Sequence, residues 1–240
     1  MKILSIILAA IIAAPLVATA QVQDMLPTKG EASFVRKSDL DLLNLLPPPP
    51  KPGSAREKAD LAELRRLQDA RTPERVKIAE EDAPENAFAV LRGDLGAGFT
   101  ADKVPKTAKL LQAVVTDEGL ILDSVKDLWG RRRPYWIDAG INPCFEKRTT
   151  PSYPSNHATL GYLTAMVLSS MLPEKRATLF SSAARYAESR LICGVHYPSD
   201  VEVSKTTAAL LALKIQSNPA YQRELPAVRA ELRSALGLAP

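Results

Sequence analysis

Histidine and cysteine are scarce in this chain, with two of each among 240 residues. Neither a Cys-x-x-Cys nor a His-x-x-x-His spacing occurs. A zinc site held by protein ligands needs such a cluster and is not expected. Cys144 and Cys193 permit one bridge in an oxidising compartment and otherwise stand as two separate buried thiols. No sustained two-residue alternation of apolar and polar side chains is present, so strands should be minor. No internal repeat is evident either. Beyond the first twenty residues no apolar run is long enough to cross a membrane. The best candidate, 158–171, stops at Pro173 and charge and reads as a core helix. A strong charge surplus is missing too. With 31 Lys and Arg against 27 Asp and Glu, a net +4 gives no reason to expect nucleic-acid binding.

What is present begins with a leader. Lys2 is the only charged residue of the first twenty; an apolar run follows from Ile3 to Val17 and ends in Ala18-Thr19-Ala20. A positive start, an apolar middle and small residues before a cut predict a signal peptide over 1–20 and export to the periplasm or beyond. A short membrane anchor is the other reading. Residues 21–54 are polar and irregular and end in Pro47-Pro48-Pro49-Pro50, which predicts an extended arm lying on its own domain rather than a strand offered to a partner. From residue 55 to 240 the pattern is helical and predicts one all-α domain. Helices are expected over 55–71, 84–93, 106–129, 157–171, 173–192, 198–216 and 218–236. The longest shows apolar residues at Leu111, Val114, Val115, Leu122, Val125 and Trp129, close to the spacing of one buried helical face.

The two histidines sit in distinctive surroundings. His157 follows Pro154-Ser155-Asn156 and opens the most apolar helix. Ser155 is placed to cap that helix, leaving backbone N–H groups at its start able to receive a phosphate oxygen. His196 precedes Tyr197-Pro198-Ser199-Asp200, and Asp200, four residues on, is within reach of one imidazole nitrogen. The other nitrogen is then free as base, nucleophile or ligand. Arg190 lies six residues before His196, and Lys126 seven before Arg133. A phosphoryl group in transfer carries charge on three oxygens and needs several fixed cations around it. Singly, each feature has a plainer reading: a structural His–Asp pair, a helix cap, a solvated face over Arg131 to Arg133.

Taken together, Lys126-Asp-Leu-Trp-Gly-Arg-Arg-Arg133-Pro134, then Pro154-Ser155-Asn156-His157, then Ser189-Arg190-Leu-Ile-Cys-Gly-Val-His196-Tyr-Pro-Ser-Asp200 resemble the three-part signature of the type 2 phosphatidic acid phosphatase (PAP2) superfamily. That superfamily includes vanadium haloperoxidases, lipid phosphatases and bacterial class A non-specific acid phosphatases. Leu45-Leu46-Pro47-Pro48-Pro49-Pro50, Gly53-Ser54, Glu81-Asp82-Ala83 and the tail from Ser199 to Leu236 extend the resemblance to the class A group. It implies an all-α bundle of the PAP2/vanadium haloperoxidase type and hydrolysis of small phosphomonoesters without metal or other cofactor. His196 would become a phosphohistidine, with Asp200 orienting it. His157 would protonate the leaving alkoxide and then activate water. Lys126, Arg133 and Arg190 would hold the phosphate oxygens, assisted by Ser155 and the N–H of Asn156. Transfer to an acceptor alcohol and a homodimeric assembly are also compatible with the group.

The family usually has Gly where this chain has Asn156. Asparagine tolerates a left-handed backbone better than most residues, so the N–H contact is expected to survive, with added bulk near the leaving group. Three rival readings remain. One is a lipid or isoprenoid phosphate phosphatase, whose relatives usually span membranes. Another is a vanadium-dependent haloperoxidase. The last is a phosphate-binding protein in which Asn156 marks an impaired site.

Overall fold

Among the described residues, 31–240 of a computed structural model, every regular element is helical and no strand occurs. The expected leader over 1–20 and the first part of the arm lie outside them. In chain order the helices are α1 (Leu42–Leu45), α2 (Ala55–Ala70), α3 (Pro73–Glu81), α4 (Ala87–Leu91), α5 (Pro105–Trp129), α6 (Pro134–Ile137), α7 (Asn156–Ser169), α8 (Arg176–Ile192), α9 (Pro198–Ser217) and α10 (Pro219–Ala235). No helix among the described residues is long and apolar enough to cross a membrane.

Local chemistry accounts for most of the starts. Ser54 accepts from the Glu57 N–H to open α2, Thr72 from Arg75 to open α3, and Asn86 from Ala89 to open α4. Proline stands at the start of α3, α5, α9 and α10, where its missing N–H costs nothing. Several elements depart from the sequence pattern, and the helix expected over 173–192 opens with a 3-10 turn, Pro173–Lys175, before α8. The helix expected over 84–93 begins only at Ala87, because Asn86 supplies the cap that Pro84 cannot. The helix α3 has no counterpart among the expected ones; its residues are mostly charged and give no clear apolar face.

The core is organised around α7, which packs against α8 and α9 and also meets α5 and α4. Leu160, Leu163, Val167 and Leu168 are fully buried, as the nearly continuous apolar composition requires. Close approach of α7 to α8 depends on Gly161: a Cβ there would stand 3.3 Å from the Ala183 carbonyl oxygen and 3.2 Å from the Tyr186 ring. That proximity carries the start of α7 against Tyr186, and the His157 and Tyr186 rings stack with centroids 5.5 Å apart.

The arm is less extended than its prolines suggest, containing a 3-10 turn over Lys37–Asp39 and the single turn of α1. It lies on the helical body. Phe34, Val35, Leu40, Leu42 and Leu46 enter the main core. Asp117 of α5 fastens its beginning by accepting from the N–H groups of Ser33, Phe34 and Val35 at 2.7, 2.7 and 2.9 Å. Cys144 and Cys193 form a disulfide that ties the loop after α6 to the end of α8.

Candidate active site

Three segments converge on one cavity: the end of α5 with the extended stretch before α6, the start of α7, and the turn joining α8 to α9. A fourth comes from the turn between α3 and α4. The cavity has two lobes, about 310 and 390 Å³, which share Arg133, Arg148, His157 and His196 in their walls. Arg190 faces the smaller lobe, Lys126 and Asn156 the larger. Six of the eight site residues expected from the sequence thus line one space; Ser155 and Asp200 stand behind it.

His196 is buried, and both ring nitrogens are committed. Arg133 Nη1 donates to Nε2 at 3.1 Å, which leaves the lone pair on Nε2 and the proton on Nδ1. Nδ1 donates to the Ser152 carbonyl at 2.8 Å, and Asp200 Oδ2 lies 3.3 Å away. The four-residue spacing predicts Asp200 as the partner of this nitrogen; here a backbone carbonyl makes the shorter contact. Asp200 is held by the Tyr197 N–H at 2.9 Å, the Ser152 hydroxyl at 2.5 Å and Arg131 Nη1 at 2.5 Å. Burial pushes the Asp200 carboxyl above its ordinary range, against the pull of Arg131.

His157 closes the other side. Its Nε2 donates to the Ala83 carbonyl at 2.9 Å, and its Nδ1 faces Glu85 Oε1 at 3.6 Å. Burial lowers the proton affinity of both imidazoles well below the ordinary histidine value. For His157 Arg190 adds to the effect, and for His196 Arg133 does. The cations are desolvated as well. Lys126 is lowered to about 8, chiefly by burial, and Arg133 and Arg190 are lowered for the same reason.

Arg133 donates Nε–H to the Thr150 carbonyl at 2.9 Å and Nη1–H to the Val195 carbonyl at 2.9 Å. Arg190 donates to the Ala79 and Asp82 carbonyls at 3.1 and 2.9 Å, while its buried Nε has no partner among the described residues. Ser155 caps α7 by accepting from the Ala158 N–H at 3.3 Å, and its own N–H donates to Ser204 Oγ at 3.0 Å. Asn156 is the first residue of α7 and needs no left-handed backbone. Among the described residues Arg92 is the sole non-glycine with positive φ. The carboxamide oxygen of Asn156 accepts from Lys126 Nζ at 2.8 Å.

Several contributors escaped the sequence reading. Arg131 and Arg133 are buried while Arg132 between them is exposed. An extended segment turns alternate side chains inward, so the basic run is not one solvated face. The carbonyls of Ala83 and Ser152 leave no trace in side-chain chemistry. Glu85, Glu118 and Arg148 are ordinary charged residues in sequence, and only the packing brings them to the cavity.

Electrostatically, an unprotonated nitrogen, a second imidazole and a set of desolvated cations around a water-accessible cavity suit an anion of tetrahedral shape. Comparison with known proteins shows the family. The model of the PAP2 superfamily matches residues 107–222. A non-specific acid phosphatase of Providencia stuartii is 32% identical over 214 residues, covering 85% of this chain and 86% of that protein. An acid phosphatase of Zymomonas mobilis is 27% identical over 215 residues, covering 86% and 81%. Among solved structures, the first bacterial vanadium-dependent iodoperoxidase superposes with a TM-score of 0.56 at 19% identity, over 72% of this chain and 52% of that one. This last likeness concerns the fold alone.

Proposed function

The chain belongs to the PAP2 superfamily, and from that premise we propose that it is an exported acid phosphatase hydrolysing phosphomonoesters through a phosphohistidine on His196. The observation that carries this reading is the state of His196. Nε2 holds a lone pair at the cavity wall, Nδ1–H is anchored to Ser152 and Asp200, and His157 faces the same space.

In the first step Arg133 turns its Nη1–H from Nε2 to a phosphate oxygen, the Nε2 lone pair so released attacks phosphorus, and the bond to the ester oxygen breaks. His157 Nδ1–H protonates that oxygen, and the alcohol departs. Asp200 and the Ser152 carbonyl hold the imidazolium Nδ1–H that develops. Lys126, Arg133 and Arg190 bind the three peripheral oxygens, with the N–H of Asn156 at the open end of α7 assisting. In the second step neutral His157 takes a proton from water, the resulting oxygen nucleophile attacks phosphorus, and the N–P bond breaks. Inorganic phosphate leaves and both imidazoles return to their starting states. An alcohol replacing water in this step gives phosphotransfer.

His157 must enter protonated while His196 enters neutral, so a bell-shaped pH profile is expected. Burial disfavours charge on both rings. An arriving phosphate dianion offsets Arg190, Arg148 and Lys126, and so favours protonation of His157. No step uses a metal ion.

The test is hydrolysis of p-nitrophenyl phosphate between about pH 4 and pH 8 with EDTA and with vanadate, beside His196→Ala. Activity that resists EDTA, yields to vanadate and disappears in the variant is expected. Activity retained without His196 would refute the mechanism, and activity lost to EDTA would refute its independence of metal.

A further inference from the structure

The larger lobe of the cavity contains two carboxyl groups that no step above employs. Glu118 projects from α5, is 1% exposed, and its Oε1 has no hydrogen-bond partner among the described residues. Glu85 comes from the turn between α3 and α4, and its buried Oε1 is likewise unpartnered. Both line the lobe, together with Asp123. Buried polar atoms are nearly always paired in native proteins, and an unpaired one at a cavity wall marks a place where a ligand supplies the partner.

Their position relative to the chemistry is specific. His157 Nε2 is bound to the Ala83 carbonyl, so Nδ1 is the nitrogen that meets the leaving oxygen. The protein atom facing Nδ1 is Glu85 Oε1, at 3.6 Å. Whatever hangs from the ester oxygen therefore starts beside Glu85 and continues into the lobe that Glu118 walls. A methyl group there leaves both oxygens unpaired. A hydroxyl or ammonium donates to them.

We propose that this lobe is a leaving-group subsite selecting phosphate esters of short alcohols that carry a hydrogen-bond donor, an ammonium or a second hydroxyl, with Glu85 and Glu118 as acceptors. The proposal rests on the phosphatase reading above. Burial raises the proton affinity of both carboxyls, Glu118 the more so because Glu85 adjoins it. Lys126, Arg148, Arg190 and Arg133 act on Glu85 in the opposite sense. Each carboxyl keeps an accepting lone pair in either protonation state.

The experiment compares three esters of nearly one shape: 2-aminoethyl, 2-hydroxyethyl and propyl phosphate, with p-nitrophenyl phosphate as reference. Wild-type kcat/KM is expected to favour the donor-bearing esters over propyl phosphate by about tenfold, the effect of one hydrogen bond to a charged group. An ammonium also makes its alcohol a better leaving group, so the diagnostic quantity is the ratio in wild type against that in Glu118→Leu, where it should collapse toward parity. If Glu118→Leu does not fold, Glu85→Gln should lower 2-aminoethyl relative to 2-hydroxyethyl phosphate. Preference for both donor esters supports a hydrogen-bonding subsite; preference for the ammonium ester alone assigns it to charge. Equal wild-type rates, or ratios unchanged in the variants, overturn the subsite while cleavage of p-nitrophenyl phosphate leaves the phosphatase reading standing. No cleavage of any ester overturns both.

Discussion

Arg131 Nη1 lies 2.5 Å from Asp200 Oδ1, with both side chains almost wholly buried. The same guanidinium reaches Asp60 of α2 at 3.3 Å and Ser199 at 2.7 Å, and stacks 3.7 Å above the Tyr197 ring. Asp200 in turn holds Ser152 and faces His196, so α2 is linked to the candidate nucleophile through one arginine.

Removing that arginine takes the buried cation from Asp200, whose closest remaining partners are the Tyr197 N–H and the Ser152 hydroxyl, and leaves Asp60 with Ser199 and the exposed Arg56. Arg131→Met is expected to cost roughly 3–5 kcal/mol of stability, read by urea denaturation. Arg131→Lys should keep the charge but not the bridge, since an ammonium cannot span both carboxylates as a planar fork does. It should fold and show lowered kcat with little change in KM, because Arg131 lines neither lobe of the cavity. An unchanged kcat would show that the position of His196 does not depend on this pair.

His157 is assigned to leaving-group protonation, which predicts a dependence on the leaving group. His157→Gln should slow hydrolysis of an alkyl phosphate by about 10²–10⁴-fold. In kcat/KM, which excludes the later water step, p-nitrophenyl phosphate, whose phenolate departs without a proton, should be slowed far less. Equal losses on both substrates would remove His157 from that role.

Burial lowers the proton affinity of His157 and His196. Between their folded values and the unfolded value of about 6.5, the unfolded chain binds more protons, so their contribution to stability falls as pH drops through that window. A bound phosphate or vanadate reverses the shift, and the complex then holds more protons than the free protein. Titration calorimetry near about pH 6.5 in buffers of different ionisation heat should record net proton uptake on vanadate binding. His157→Gln should reduce that uptake; uptake unaltered in the variant would place the titrating group elsewhere.

Asn156 occupies one donor of Lys126 through a 2.8 Å bond. Asn156→Gly should free that ammonium for phosphate and lower KM by about threefold, the worth of a modest hydrogen bond. A raised KM would instead mean that Asn156 holds Lys126 in its working position.

The disulfide spans 49 residues of sequence and encloses α7 and α8. Loop closure of that length corresponds to roughly 4 kcal/mol of stabilisation. Guanidinium denaturation of the double variant Cys144→Ser, Cys193→Ser should show a loss of that order. A loss well below 1 kcal/mol would show that the loop after α6 is held mainly by its other contacts.

Much of the fold was legible in one dimension. The three-and-four spacing from Leu111 to Trp129 predicts α5 nearly to its ends, and the apolar run after His157 predicts a central helix, which α7 is. Both follow from the period of the α-helix meeting a single buried face or a wholly buried position. What escaped was α3, whose charged residues carry no such period, although Thr72-Pro73 offers a cap and a first-turn proline. The turn after α3 supplies the Ala83 carbonyl that fixes His157, so the missed helix delivers part of the site.

The sequence by itself determined the inventory: two histidines, one carboxylate four residues from the second, and cations in a recognisable order. It determined the helices that carry them, because apolar periodicity and capping act over a few residues. Only the tertiary structure decided which nitrogen of each imidazole is tied to the backbone, since the atoms that settle it are the carbonyls of Ser152 and Ala83. Every residue has such a carbonyl, so no side-chain pattern announces it. Folding likewise decided that Arg131 turns inward to Asp200 and that Oε1 of Glu85 and of Glu118, at one wall, has no hydrogen-bond partner among the described residues. Desolvation and pairing are properties of an enclosed volume, and that volume exists only once distant segments close around it.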